Sequence, residues 1–171
     1  MIKPRDYDQA ESRSSGSVSQ GMIPAGGHGA VIHKAEVKKD EFGERMFLYF
    51  DIQEGSEWDN YYSKKYAREG QFSANPQWKG VFRQAVYKKD SDETNPYFKG
   101  MVSAIEDSNN GFRWNFDELT LKGKKVGIVF REKEFKGTDG AVHTTSEPLY
   151  CCDIKNYDSM PIPKKKELAG L

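Results

Sequence analysis

The chain has 171 residues, 36% of them hydrophobic and 30% charged, and its 26 basic residues balance its 26 acidic ones. This length suits one domain with tails. Neutral net charge argues against a strongly adherent duplex-DNA binder, whereas a single-strand binder needs only a local basic field. No apolar run reaches the ~20 residues of a membrane span, and the N-terminus lacks the apolar core of a signal peptide. We therefore expect a cytoplasmic protein with no membrane partner.

The N-terminal part of the sequence is predicted to form a disordered arm followed by two β-strands. Residues 1–21 are polar and lack periodicity, which predicts a disordered arm before a folded domain over 22–157. A first strand is predicted over 29–38, with Val31, Ala35 and Val37 facing inward. The second, over 45–53, alternates most clearly, because one face carries Met46, Leu48, Phe50 and Ile52 and the other carries Phe47, Tyr49, Asp51 and Gln53.

The middle of the chain predicts a third strand from Trp58 to about Tyr62, then a loop or short helix over 64–77. The apolar spacing of residues 78–87 fits a strand or a helix. A helix is predicted to begin at Asn95-Pro96, because Asn is a good cap and Pro suits the first helical position. Its apolar residues recur at helical spacing through Asp107: Phe98, Met101, Val102 and Ile105.

The C-terminal part predicts two strands, over 124–132 and from Val142 through Ile154, the second interrupted near Pro148. A hairpin turn at residues 137–140 joins them. Residues 158–171 form a basic tail. The predicted order is β-β-β-α-β-β, a mainly β chain with one helix. This order matches a five-stranded OB-fold β-barrel, which binds oligonucleotides across its strand 2–3 face.

The stretch from Trp58 to Lys89 is the strongest functional signal, with eight aromatic and seven basic residues against two acids. Rings stack on unpaired bases, at about 1–3 kcal/mol per base, while cations neutralise phosphates. The residues predicted to stack on bases are Phe47, Tyr49, Trp58, Tyr61, Tyr62, Tyr66 and Trp78. The residues predicted to contact phosphates are Lys64, Lys65, Arg68, Lys79 and Arg83. We assign Phe72, Phe82 and Tyr87 to the core.

Other chemistry is weakly indicated. His28, His33 and His143 have no metal-ligand spacing, which favours surface or loop histidines. The adjacent Cys151 and Cys152 predict reduced residues, partly buried in a strand. A carboxylate group of Asp51, Glu54 and Glu57 could hold Mg²⁺, but no further acid completes a nuclease site. Trp114 is assigned to the core. The sequence thus predicts no enzyme, no cofactor and no metal.

Several motifs between residues 22 and 155 resemble a family of small replication-module proteins from phages of Gram-positive bacteria. They are Pro24-Ala-Gly-Gly27, Phe50-Asp-Ile-Gln-Glu-Gly55, Phe98-Lys-Gly100, Glu106-Asp-Ser-Asn109, Gly111-Phe-Arg-Trp-Asn-Phe-Asp-Glu118, Leu121-Lys-Gly-Lys124 and Phe135-Lys-Gly-Thr-Asp-Gly140. That family is regarded as OB-fold single-stranded-DNA-binding proteins without a catalytic motif. The resemblance implies a role in phage DNA replication or recombination, in the host bacterial cytoplasm.

The leading hypothesis is a non-enzymatic protein that binds and protects single-stranded DNA with little sequence preference. Phage replication or recombination proteins are the protein partners that this role suggests, and the sequence leaves homo-oligomerisation open. The alternative is a protein-interaction module, an assembly protein or an inhibitor of a host enzyme, whose interface is the aromatic and basic stretch. A third class, a Mg²⁺-dependent nuclease, would depend on the carboxylate group of Asp51, Glu54 and Glu57.

Overall fold

The computed structural model describes residues 2, 3, 5, 7, 8 and 21–169, so the predicted arm lies largely outside the described residues. Within them, the strands are β1 (Gly26–Asp40), β2 (Gly43–Ile52), β3 (Val81–Ala85), β4 (Lys125–Lys136) and β5 (Val142–Cys152). The α-helices are α1 (Tyr61–Gly70) and α2 (Pro96–Ser108), and 3₁₀ helices span Glu118–Leu121 and Ile154–Ser159. No helix of this part is long and apolar enough to cross a membrane.

The five strands form an open antiparallel sheet in the order β3-β2-β1-β4-β5. β1 is central, and its pairing with β2 shifts between Ile32 and Lys34, which leaves His33 as an extra residue in a bulge. Before the bulge the even-numbered Ile32 is buried, and after it the odd-numbered Ala35 is buried. The prediction that Val31 faces inward was therefore wrong, because the bulge changes which positions face the core.

Strand β2 confirms the predicted alternation, since Met46, Leu48, Phe50 and Ile52 are all buried. Full burial of such a side chain contributes about 1.5–3 kcal/mol. The ring of Phe50 lies 6.1 Å from that of Phe130 on β4, although β1 separates the two strands. The sheet therefore curls around its core.

The predicted third strand from Trp58 to Tyr62 was wrong, because helix α1 begins at Tyr61. The residue before it, Asn60, makes no capping hydrogen bond through its side chain. The buried carboxylate of Asp51, at the end of β2, instead accepts hydrogen bonds from the backbone N–H groups of Tyr62 (2.8 Å) and Ser63 (2.9 Å). A helix start needs acceptors for its free N–H groups, and here a remote residue supplies them. The third strand is β3, within the predicted 78–87 segment.

Helix α2 confirms the prediction in detail. The side chain of Asn95 accepts a hydrogen bond from the backbone N–H of Tyr97 at 2.9 Å, and Pro96 takes the first helical position. The residues that α2 buries are Phe98, Met101, Ala104 and Ile105. The helix packs against β3, β4 and β5, so it covers the part of the core that lies between the outer strands.

The C-terminal strands also agree with the sequence. β5 runs past Pro148, and the predicted interruption is a register shift, since Tyr150 pairs with Val129 and Pro148 with Phe130. Beyond the second 3₁₀ helix, the backbone N–H of Lys166 donates to Glu132 and its carbonyl accepts from Glu134, both at 2.9 Å. This part of the basic tail is thus attached to the free edge of β4.

Candidate nucleic-acid interface

Four cations gather where α1 meets β3. Lys65 and Arg68 lie on α1, Lys79 precedes β3 and Arg83 lies within it. Desolvation by neighbouring atoms lowers the pKa of Lys65, and the nearby charges of Lys79 and Arg68 lower it further. Within the described residues, none of the four forms an ion pair. The group is therefore a positive surface, whose charge the nearby Glu69 offsets only in part.

Three of these cations, Lys65, Lys79 and Arg83, line a cleft of about 410 Å³ between the two outer strands of the sheet, which we call the edge cleft. One side is formed by α1 and β3, and the other by β5, with the segment 21–23 also contributing. The lining residues are Gly21, Met22, Ile23, Tyr61, Tyr62, Lys65, Lys79, Val81, Arg83, Thr144, Thr145, Ser146, Glu147 and Pro148. Three of the four cations thus point to one concave surface, at the edge where the sheet stays open.

Three rings, His33, Tyr66 and Trp78, form what we call the ring cluster. The indole Nε1 of Trp78 donates to the carbonyls of Phe50 and Gly80, both at 3.2 Å, which fixes the ring at the ends of β2 and β3. The Trp78 ring lies 5.3 Å from His33 and 5.9 Å from Tyr66, which is 41% exposed. Sequence reasoning missed His33, because nothing local reveals the bulge that brings it beside Trp78.

The outer face of β2 carries Phe47 and Tyr49, as predicted. The Phe47 ring is only 8% exposed, because the cationic groups of Lys38, Arg45 and Arg83 lie 4.8–5.5 Å from its centre. The Tyr49 hydroxyl donates to Glu36 at 3.2 Å. In this state Phe47 positions cations by cation–π contact, and a base could stack on it only after they move aside.

The remaining predicted aromatic residues lie in or against the core. Tyr61 and Tyr62 are buried: the Tyr61 hydroxyl donates to the carbonyl of Gly21 at 2.8 Å, and the Tyr62 ring packs edge-on against Phe50 at 5.4 Å. Burial raises the pKa of Tyr62 strongly. Trp58 is partly buried and packs edge-on against Tyr61 at 5.8 Å. These three rings, which were predicted to stack on bases, instead support α1.

The structure confirms some of the predicted core residues and contradicts others. Phe82 and Trp114 are buried as predicted, whereas Phe72 is 90% exposed and Tyr87 is also exposed, so the core assignment of those two was wrong. Lys64 forms an exposed ion pair with Asp59 at 3.3 Å, which makes it less available to a phosphate than Lys65.

The carboxylate group predicted as a weak metal candidate has a structural explanation. Asp51 is 1% exposed and accepts hydrogen bonds from Ile52, from Tyr62 and from both the backbone and the hydroxyl of Ser63. Its oxygens are thus occupied. In the described part of the chain, no group of three or more His, Cys, Asp or Glu side chains is placed to hold a metal ion.

The histidines and cysteines outside the interface have local partners. His28 contacts the carbonyl of Pro24 at 2.8 Å, and burial lowers its pKa. His143 lies 3.0 Å from the carboxylate of Asp139. Cys151 and Cys152 are free thiols in β5, and Cys152 is buried, in agreement with the prediction of partly buried cysteines in a strand.

No protein-family model matches the chain, and no curated protein is significantly similar to it. The edge cleft and the ring cluster are therefore the features of the molecule that bear on its function.

Proposed function

We propose that this protein binds single-stranded DNA with little sequence preference and protects it, without catalysing a reaction. The observation that carries the proposal is the group of four cations, Lys65, Arg68, Lys79 and Arg83, which form no ion pair within the described part of the chain, together with the partly exposed ring cluster. The binding path runs from the outer face of β2 and β3, past the ring cluster, to the edge cleft. The resemblance to phage replication-module proteins suggests DNA replication or recombination as the setting, with other proteins of that process as partners.

The cation group fits a polyanionic ligand on physical grounds. Desolvation lowers the pKa of Lys65, and repulsion from the nearby like charges of Lys79 and Arg68 lowers it further. A bound phosphate chain would offset both, and it would release counterions on binding. Trp78 and Tyr66 offer π faces, which stack on any base and so favour little sequence preference.

We propose further that the sheet is a partly open OB barrel. Each strand pairs antiparallel with its neighbour, so the outer strands β3 and β5 run in the same direction. They contact each other at the edge cleft, and α2 lies between β3 and β4 in the chain. The binding path described above covers the strand 2–3 face that such barrels use for oligonucleotides.

A salt titration with fluorescently labelled oligo-dT tests the proposal. The logarithm of the binding constant should fall with the logarithm of salt concentration at a slope of about −0.7 per phosphate contacted. The double variant Lys65→Gln/Lys79→Gln should make that slope shallower by about 1.4, two contacts at this value. Lys64→Gln is the matched control, because Asp59 already neutralises Lys64. An unchanged slope in the double variant would place the site elsewhere.

Tryptophan emission separates DNA binding from the alternative of a protein-interaction module. One observation favours protein docking at a surface other than the aromatic and basic stretch: the side chains of Phe116 and Leu119 are exposed next to Asp117 and Glu118, and exposed apolar groups can anchor a partner protein. Saturating oligo-dT should quench the emission of Trp78 if bases stack on the ring cluster. Emission that stays unchanged, without a gel shift, would refute DNA binding and leave protein docking as the better hypothesis.

A further inference from the structure

The β5 side of the edge cleft is lined by three consecutive hydroxyl residues, to which the sequence assigned no role. Thr144, Thr145 and Ser146 line the cleft together with Lys65, Lys79 and Arg83 of the other side. Hydroxyl groups donate hydrogen bonds readily to phosphate oxygens, and nucleic-acid interfaces use Ser and Thr for this purpose. The cleft therefore combines cations and neutral donors on two separate elements.

One of these hydroxyls has an unmet hydrogen bond. The Oγ of Ser146 is buried, and it has no hydrogen-bond partner among the described residues. Leaving a buried hydroxyl unpaired is unfavourable, so native structures almost always provide a partner from protein or solvent. In the free protein the Oγ is shielded from solvent, so an acceptor oxygen in the cleft would supply that partner once the side chain of Ser146 turns toward it.

The carboxylate of Glu147 lines the edge cleft, but its negative charge is paired and would not repel a bound anion strongly. Glu147 accepts hydrogen bonds from Arg131 at 2.8 Å and from Lys133 at 3.0 Å. Burial alone would raise the pKa of Glu147, but these two cations outweigh it and the pKa is lowered. The carboxylate charge is thus neutralised by two cations that do not themselves line the cleft, while Lys65, Lys79 and Arg83 do line it.

We propose that the edge cleft is a phosphate-binding site, in which Lys65, Lys79 and Arg83 hold the phosphate from one side and the β5 hydroxyls donate to it from the other. A cleft of about 410 Å³ has the size of a small-ligand site, which suits one nucleotide unit of a single strand. The inference rests on the proposed function and adds β5 as the second wall. It predicts that the bound single-stranded DNA runs along the cleft between the β-strands β3 and β5.

The test compares Thr144→Val/Thr145→Val with the wild type, using oligo-dT that carries either a 5′-phosphate or a 5′-hydroxyl. Valine keeps the shape and strand propensity of threonine and removes the hydroxyl. The variant should bind about tenfold more weakly, because it loses hydrogen bonds to a charged group. Its salt slope should equal that of the wild type, since neutral donors displace no counterions, whereas Lys65→Gln/Lys79→Gln should change the slope.

Ser146→Ala gives an independent variant, and Thr138→Val, in the exposed β4–β5 turn, is the matched control. Thermal melts confirm that each variant is folded. Weaker binding of both oligonucleotides would place an internal phosphate in the cleft, and a wild-type preference for the 5′-phosphate that the variant loses would place a terminal one there. If the folded Thr144→Val/Thr145→Val and Ser146→Ala variants bind with wild-type affinity, the phosphate-binding inference is wrong, while the proposed DNA binding still stands. A wild type that binds neither oligonucleotide would overturn the proposed function with it.

Discussion

The carboxylate of Asp51 joins β2 to the helix that carries Lys65, Tyr66 and Arg68, so Asp51→Asn should destabilise the whole domain. In the wild type the carboxylate accepts four hydrogen bonds while it is 1% exposed. Asparagine keeps one acceptor oxygen. Its NH₂ group would then face the backbone N–H and the hydroxyl of Ser63, both of which donate to the wild-type oxygen.

The magnitude follows from those two lost bonds. A hydrogen bond to a charged group contributes about 1.5–3 kcal/mol, and the loss of a helix cap costs about 1 kcal/mol. These contributions overlap, because one of the two bonds is itself part of the cap. We therefore expect Asp51→Asn to lower the free energy of unfolding by about 3 kcal/mol, out of the 5–15 kcal/mol that is typical of a domain. For a chain of this size the fall in Tm would be about 6–12 °C.

Urea denaturation, followed by tryptophan fluorescence and by circular dichroism, measures this change. The m-value should stay the same, because the surface exposed on unfolding is unchanged. Asp59→Asn is the control: it removes an exposed ion pair with Lys64, and its effect should stay within about 0.5 kcal/mol. A loss below 1 kcal/mol for Asp51→Asn would refute the idea that this carboxylate holds the start of α1.

Two further predictions concern charge. Lys65→Gln should weaken DNA binding but leave the Tm unchanged or raise it. Desolvation and the charges of Lys79 and Arg68 disfavour the ammonium group of Lys65 in the free protein. A clear fall of the Tm in low salt would contradict this prediction. Burial raises the pKa of Glu147, but hydrogen bonds from Arg131 and Lys133 outweigh it, so the pKa lies below its ordinary value of 4.5. Its contribution to stability is therefore present above about pH 4.5 and lost as the pH falls through the folded pKa. Urea midpoints between pH 6 and 3 should fall less steeply for Glu147→Gln than for the wild type, and parallel curves would speak against the pairing.

The elements with a complete local signal could be predicted from the sequence. β2 carries an uninterrupted two-residue alternation and is buried on the predicted face. α2 has both a cap and a first-turn proline, Asn95 and Pro96, followed by apolar residues at helical spacing, and it forms where expected. In both cases the information lies within a dozen consecutive residues.

The parts of the candidate site that could not be predicted depend on distant residues. Helix α1 starts at Tyr61 because Asp51, ten positions earlier, supplies its capping acceptor. A strand from Trp58 to Tyr62 was a reasonable prediction from aromatic content alone, but it placed Tyr61 and Tyr62 on a binding face, whereas the helix buries both. The hydroxyl side of the edge cleft escaped prediction for a similar reason, since only the curled sheet brings β5 near β3.

The bulge in β1 contains one residue, His33, that the pairing between β1 and β2 does not need. Ile32 pairs with Phe50 and Lys34 with Tyr49, which are consecutive positions of β2, so the ladder would be complete without His33. The extra residue interrupts the regular pairing and sharpens the local twist, and it places an imidazole 5.3 Å from the Trp78 ring. A chain that lacks His33 would therefore keep its core positions in register and lose one ring of the cluster. The chain can thus change the residue at position 33, and with it the ring cluster, without changing the residues that form the core.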